Sequence, residues 1–398
     1  MSLLDGASRP EHDPLVRSHV ITMPSNRSLL LYTSISLLPL ALLRYRVNEF
    51  NANNNDVLSE EKRRRLLEQS LVGIDGFPLQ WTPVNCTAYT SFDDPELDPN
   101  GGELFARWTA VDPPFWMSLH NRLYDPMRLV VYDKGEYYEK ALTNTFHRIL
   151  VNSPANARVL DVGGNIGWFT MKSASLGHHV DVFEPNPKNI LRMCQSCWLN
   201  QWGTASEDEI NNRQTKKGSV NIRPYGVGNS STSLPMYFGK NPGKASFLRQ
   251  MLPKKNIPVK ATDGIQMVTL DSMATELGWF EGDVKIAIMK VDVEGFEPFV
   301  MQGASKLLKS NLVENVLMEI TGMGPEENHV NFAMIQLLVD SDFVLYMTGG
   351  PAGPTSRKDV PPTDDALVEK LIGSCAHKRG LQCNLWWIKR ALFVEDGN

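Results

Sequence analysis

From about residue 128 the chain alternates short β-branched runs with helix-length segments, and no other feature constrains its fold as strongly. Strands separated by helices pair in parallel, because a helical crossover returns the chain to the start of the sheet before the next strand begins. The clearest unit is a strand at Arg158 to Val162, a glycine-bearing turn, and a helix from about Trp168 to Leu176 that Gly177 ends. A second strand is expected at His179 to Phe183, then a helix from Lys188 to about Trp198. Further strands are read near Val220 to Tyr225, Leu234 to Phe238 and Met267 to Leu270, with residues 239 to 265 as an irregular excursion. Strand four is Val284 to Val291, followed by a helix over Glu297 to Leu308 and strand five at Val313 to Ile320. A helix around Phe332 to Val339 leads to strand six, Phe343 to Met347, and strand seven is Leu385 to Phe393. In that last strand Trp386 and Trp387 alternate faces, which puts one of them in the core.

The segment Asp161-Val-Gly163-Gly164-Asn165-Ile-Gly167 stands between the first strand and its helix, the edge where doubly wound sheets bind nucleotide-type ligands. Gly163 and Gly167 permit positive φ and let backbone approach a ligand closely. Glu184, at the end of the next strand, is placed to accept from a ribose diol. A dinucleotide pattern G-x-G-x-x-G from Gly163 needs glycine where Asn165 and Trp168 stand. An acid two residues before the first glycine suits a ligand with an ammonium group and no pyrophosphate, and S-adenosylmethionine is such a ligand. Asp161, Gly163, Gly164, Asn165, Gly167, Glu184 and Asn186 are then the expected cofactor-binding set.

Strand four closes with Lys290-Val-Asp292-Val-Glu294-Gly295-Phe-Glu297, which brings three carboxylates and an amine to the same edge. Clustered like charges raise a carboxylate pKa and a lysine lowers it, so one member can serve as a base or orient an acceptor hydroxyl. Asp292 is the first choice, with Lys290 and Glu294 beside it, while Glu297 equally suits a helix N-terminus through the dipole. Glu319, ending strand five, faces this edge as well, and His329 in the following loop is a weaker candidate base. No His/Cys set has metal-ligand spacing, and no metal is expected.

With Phe183-Glu184-Pro185-Asn186-Pro187, Thr269-Leu270-Asp271 and Gly303-Ala304 added to these two motifs, the chain resembles FkbM-type methyltransferases over about residues 128 to 346. Gly135-Glu136-Tyr137-Tyr138-Glu139 is similar to the segment ahead of that family's cofactor strand. The resemblance implies an α/β fold with a Rossmann-like seven-stranded methyltransferase sheet, mostly parallel with the last strand antiparallel. It also implies S-adenosyl-L-methionine as cofactor and methyl transfer to a hydroxyl of a sugar, glycan or small metabolite. Gly164 stands where the family usually has alanine, a change expected only to loosen the turn. Residues 1 to 100 and an insertion at 349 to 383 lie outside the match, which divides the chain into an N-terminal extension and a domain over 101 to 398.

Two other readings compete: a non-catalytic, membrane-tethered S-adenosylmethionine-binding protein, and an amino- or nucleic-acid methyltransferase. Asp112-Pro113-Pro114-Phe115 is similar to the D-P-P-[YFW] motif of enzymes acting on exocyclic amines. That reading leaves the strand-four carboxylates without a role, and Asp-Pro-Pro is also an ordinary turn. A formal net charge of -5 gives no general attraction to phosphate backbones, so a nucleic-acid partner is not expected and a small or uncharged acceptor is.

The compartment is less determined. Leu29 to Leu43 is apolar apart from Thr33, Ser34 and Ser36, but as helix it rises only about 22 Å, against a hydrocarbon core of roughly 30 Å. Pro39 interrupts it, so a signal anchor giving membrane association, an uncleaved signal segment and a buried helix all stay open, with a cytoplasmic protein as the alternative. Flanking arginines and lysines lean toward a cytoplasmic C-terminal side, whereas N-x-S/T triplets at Asn26, Asn85 and Asn229 fit a lumenal one. Five cysteines are too few for a disulfide framework. Cys194 and Cys197 read as two core thiols in a helix, and Cys375 and Cys383 flank a loop across which they could pair in an oxidising lumen.

Overall fold

The computed structural model describes residues 81, 83–86, 103–121, 129–137, 139–211, 218–238, 245–248, 260–282, 284–322, 328–350, 353–355 and 381–392. Leu29 to Leu43, Asn26, Cys375 and most of the 349 to 383 insertion lie outside them, and with them the readings made there. No helix among the described residues is long and apolar enough to cross a membrane.

An antiparallel hairpin of β1 (Phe105–Trp108) and β2 (Trp116–Leu119) precedes α1 (Leu129–Lys134) and α2 (Lys140–Val151). Then come β3 (Arg158–Val162), α3 (Trp168–Ser175), β4 (His179–Phe183), α4 (Pro187–Asn200), α5 (Glu207–Asn211) and β5 (Ser219–Arg223). Four strands follow, β6 (Gly226–Val227), β7 (Thr232–Phe238), β8 (Ala245–Ser246) and β9 (Lys260–Val268), then α6 (Leu270–Glu276) and β10 (Ile286–Val291). The chain continues through α7 (Glu297–Gln302), α8 (Ser305–Lys309), β11 (Asn315–Thr321), α9 (Asn328–Asp340), β12 (Phe343–Gly350), β13 (Gly353–Thr355) and β14 (Gln382–Lys389).

The main sheet runs β13-β12-β14-β11-β10-β3-β4-β5. Neighbours from β11 to β5 are parallel, and β14 lies antiparallel between β11 and β12, as expected for the seven-stranded arrangement. β13 adds an eighth strand as a hairpin on β12. Parallel strands are covered on both faces, so β3, β4, β5, β10 and β11 are buried along their whole length. Alternation divides them between two cores: Leu160, Val162, Met289, Val291 and Trp387 on one side, Val159, Val182, Ile288, Leu317 and Trp386 on the other.

The structure corrects several expectations, among them strand seven, which runs as β14 and ends at Lys389, with Arg390–Leu392 a 3-10 turn. The strand read at Met267 to Leu270 is the end of the longer β9, and Leu270 already begins α6, because Thr269 caps it by accepting from the Ser272 amide at 3.0 Å. β9 reaches back into the supposed excursion and organises a second sheet, β6-β9-β7-β8. The helix read over Glu297 to Leu308 is two helices. Asp271 accepts from the Lys306 and Leu307 amides, both at 2.8 Å, and so starts α8 afresh. Gly303 lies in the break, where an added Cβ would meet the Gly228 carbonyl oxygen at 1.9 Å. His329 is not in a loop but in the first turn of α9, exposed. Finally, Cys194 is not a thiol: it is disulfide-bonded to Cys86, 108 residues earlier, while Cys197 is a buried thiol as expected. The bond fastens a segment that also packs Trp81 and Val84 into the two cores and donates the Val84 amide to the Ile222 carbonyl at 2.8 Å.

Candidate functional site

The site lies at the C-terminal edge of β3, β4 and β10, where each strand ends in a charged residue or a glycine turn. Asp161 and Lys290 are register partners on adjacent parallel strands, so the fold itself sets an acid beside a base. Both are buried, at 1% and 3% exposure, and a cost that large needs compensation within the site. Asp161 Oδ2 accepts from Thr170 Oγ1 at 2.6 Å. Its Oδ1 has no hydrogen-bond partner, with the Lys290 ammonium standing off at 3.8 Å. Burial raises the Asp161 pKa against the pull of Lys290 and Thr170. For Lys290 burial works against the charge, but Asp292, Asp161, Tyr137 and Glu139 together outweigh it and the pKa rises.

The turn after β3 is built by close backbone contacts. Gly163 and Gly164 donate their amides to the Phe183 carbonyl at 3.0 and 3.1 Å, and the Asp292 amide donates to the Val162 carbonyl at 3.0 Å. Gly163 (φ 83°) leaves no room for a side chain, since a Cβ would stand 1.9 Å from the Asp292 carbonyl oxygen. Its glycine therefore answers to a neighbouring strand and not to a ligand alone. Gly167 (φ 91°) is the residue ahead of α3, and its absent Cβ makes way for Met193 on α4. Gly164 is tight as well: a Cβ there would lie 2.2 Å from Val182 Cγ2, so the glycine fits the turn to β4 and does not simply loosen it.

Glu184 directly follows β4, its two oxygens divided between two amides, Asn165 at 2.7 Å and Asn186 at 2.8 Å. Burial nevertheless lifts its pKa to about 7, those amide bonds pulling the other way without prevailing. Asn186 caps α4 through Oδ1, which accepts from the Lys188 amide at 3.1 Å. Its Nδ2, in a side chain 1% exposed, has no hydrogen-bond partner among the described residues. Asp161 Oδ1 and Asn186 Nδ2 are thus a spare buried acceptor and a spare buried donor on either side of one glycine turn. An ammonium, a carboxylate and a ribose diol are the groups such a cradle satisfies, and S-adenosylmethionine carries all three.

Beyond Lys290 the edge becomes acidic. Lys290 Nζ lies 3.3 Å from Asp292 Oδ2 and 4.9 Å from the centre of the Phe169 ring. The Asp292 side chain keeps 28% exposure, which leaves it open to a second molecule. Glu294 takes a left-handed conformation (φ 53°), and Gln382 Nε2 on β14 donates both to it, at 3.4 Å, and to Glu319 Oε1. Burial, then Asp292, Glu294, Glu297 and Glu139, raises the Glu319 pKa well above the usual carboxylate range. Glu297 shapes the loop: Oε1 accepts from the Val293 and Gly295 amides, both at 3.0 Å, and burial lifts its pKa to about 8.

Tyr137, Glu139, Phe169 and Gln382 also border this candidate site, and none of them reads as a site residue from the motifs alone. Tyr137 stacks on Trp168 at 5.1 Å between ring centres. Tyr137 and Glu139 belong to the segment similar to the family's, which was the available signal; Gln382, from β14, had none. Phe115 of the Asp-Pro-Pro-Phe segment is a core side chain on Trp168, 5.5 Å between ring centres, and Asp271 is a helix cap. No group of three or more His, Cys, Asp or Glu side chains among the described residues could hold a metal ion.

Residues 161–345 match the model of the methyltransferase FkbM domain. The chain is 28% identical over 208 residues to the hexuronic acid methyltransferase AglP of Haloferax volcanii, covering 50% of this chain and 74% of that protein. Among solved structures, a putative rRNA-methylase from Clostridium thermocellum superposes with a TM-score of 0.32 at 11% identity, over 63% of this chain and 95% of that one. Trm5b from Pyrococcus abyssi gives 0.32 at 8% identity, over 72% and 55%.

Proposed function

Since the chain carries an FkbM methyltransferase domain and uses S-adenosylmethionine, we propose that it methylates an uncharged hydroxyl on a sugar, glycan or small metabolite. The observation that supports this most is Asp292, a half-open carboxylate held against buried Lys290, one strand across from Asp161. In this reading Asp161, Glu184, Asn186 and the turn from Gly163 to Gly167 hold the cofactor. When bound, S-adenosylmethionine supplies an electrophilic methyl group whose sulfur is already a good leaving group. The residues then have two tasks, to position the acceptor oxygen and to take its proton. Asp292 would take that proton, with the Lys290 ammonium 3.3 Å away to hold its carboxylate in place. Glu294, steadied by Gln382, orients the acceptor.

The acceptor's charge follows from the same surroundings. The like charge at this edge comes from Asp292 and Glu294, since burial favours the protonated forms of Glu297 and Glu319 beside them, and the nearby cation among the described residues, Lys290, is already shared by Asp161 and Asp292. A uronate carboxylate brought there meets like charge, a juxtaposition that costs several kcal/mol. This chain therefore departs from a relative whose name specifies hexuronic acid. Matched neutral and uronic glycosides, assayed with labelled S-adenosylmethionine, test it. The neutral acceptor is expected to have the higher kcat/KM by about tenfold or more, ~1.4 kcal/mol in the barrier, and preference for the uronide rejects the reading.

A further inference from the structure

We propose that Asn229 carries an N-linked glycan, and that the domain folds in an oxidising, glycosylating compartment. Asn229-Ser230-Ser231 satisfies the N-x-S rule for an acceptor asparagine. All three residues are exposed, in the bend that joins β6 to β7. The bend stands on a rigid base: Gly228 before it is buried and donates its amide to the Val268 carbonyl at 2.9 Å. Among the described residues Asn229 Nδ2 meets only the exposed Gln302 Oε1, at 3.0 Å, and giving up a solvent-exposed hydrogen bond costs little. A glycan on this nitrogen projects into solvent without disturbing either core.

The disulfide is a separate observation that points the same way. Cys86 and Cys194 lie 5.2 Å apart at their Cα atoms and are bonded. Structural disulfides form and persist in secretory and extracellular compartments, where asparagine glycosylation also takes place. A second acceptor triplet, Asn85-Cys86-Thr87, has one half of that disulfide at its centre, and Asn85 is exposed. In the modification, Asn229 Nδ2 forms a bond to C1 of an oligosaccharide donor as the donor's bond to polyprenyl pyrophosphate breaks, and the amide proton leaves with that group. In the oxidation, the two thiols give up two protons and two electrons to a protein disulfide, which is reduced to its dithiol.

The experiment uses the full chain isolated from its native cells. Peptide N-glycosidase is expected to make the chain migrate faster and to convert Asn229 to aspartate, read by mass spectrometry of its peptides. Ser231→Ala, an exposed change that keeps Asn229, is expected to abolish that conversion and leave methyl transfer unaltered. A non-reduced digest is expected to yield the Cys86 and Cys194 peptides joined. Peptides with Asn229 unmodified overturn the glycan, and a free Cys86 thiol overturns the oxidising compartment.

Discussion

Glu184 combines two contrary influences, since two backbone amides favour its charge while burial lifts its pKa to about 7. A buried acid with a raised pKa stabilises the fold below its unfolded value near 4.5, and that contribution is lost as pH rises through about 7. The ligand-free protein is thus expected to lose stability over this window, with Glu297 extending the loss to about 8. A ribose diol donating to the ionised carboxylate reverses the balance, so cofactor binding should release a proton and weaken as pH falls below about 7. Calorimetry in two buffers of different ionisation enthalpy measures that release, and Glu184→Gln should remove it. Proton uptake on binding would contradict this geometry.

Asp161 and Asp292 are separated by a single lysine yet should fail differently. Asp161→Ala removes an acceptor for a charged donor, worth roughly 1.5–3 kcal/mol, and is expected to weaken cofactor binding by about tenfold or more. Asp292→Asn should leave that affinity within about twofold and lower kcat by roughly 10²–10⁴, the usual range for a general base. Equal loss of affinity in both variants would remove Asp292 from the acceptor side.

At the scale of elements, the tightest fit joins the glycine turn to β4. Gly164→Ala pushes a methyl group against Val182, whose branched side chain cannot rotate away freely. The expected cost is about 1–3 kcal/mol of stability, as for other overpacked positions. Adding Val182→Ala should recover part of it, a coupling visible in a double-mutant cycle by denaturant unfolding. Strict additivity would mean the turn relaxes by another route. From sequence this turn reads as loose because a glycine advertises freedom, while the neighbour that needs the space, Val182, comes from a different strand. The same limit explains the other elements. β3, α3, β4 and β10 were legible because hydrophobic period and turn chemistry are local. The broken helix was not, since Asp271 breaks it from 34 residues away or more. Lys290, Asp292 and Asp161 were read together because register in a parallel sheet converts motif order into proximity. Gln382 joins them across β14, and nothing in its own neighbourhood of sequence announces it.

For the whole molecule, the longest-range covalent constraint among the described residues is the Cys86–Cys194 bond, which closes 108 residues of chain. A loop of that order loses roughly 4.7 kcal/mol of unfolded-state entropy in the chain-entropy model, and removing a native disulfide from a small secreted domain costs about 2–5 kcal/mol. The segment it holds also contributes Trp81, whose indole donates to Glu276 Oε2 at 2.6 Å, so its release exposes core surface on both faces of the sheet. Reductant is therefore expected to lower the Tm of the native chain by several degrees, at about 2–4 °C per kcal/mol for a large domain. Cys86→Ser with Cys194→Ser should start at the lowered Tm and show no further response. Cys197 stays in place in both proteins as a buried thiol, so any residual sensitivity of the double variant would have to arise from a cysteine other than this pair. A native Tm unmoved by reductant would mean the N-terminal segment is held by its packing alone, through Trp81 and Val84.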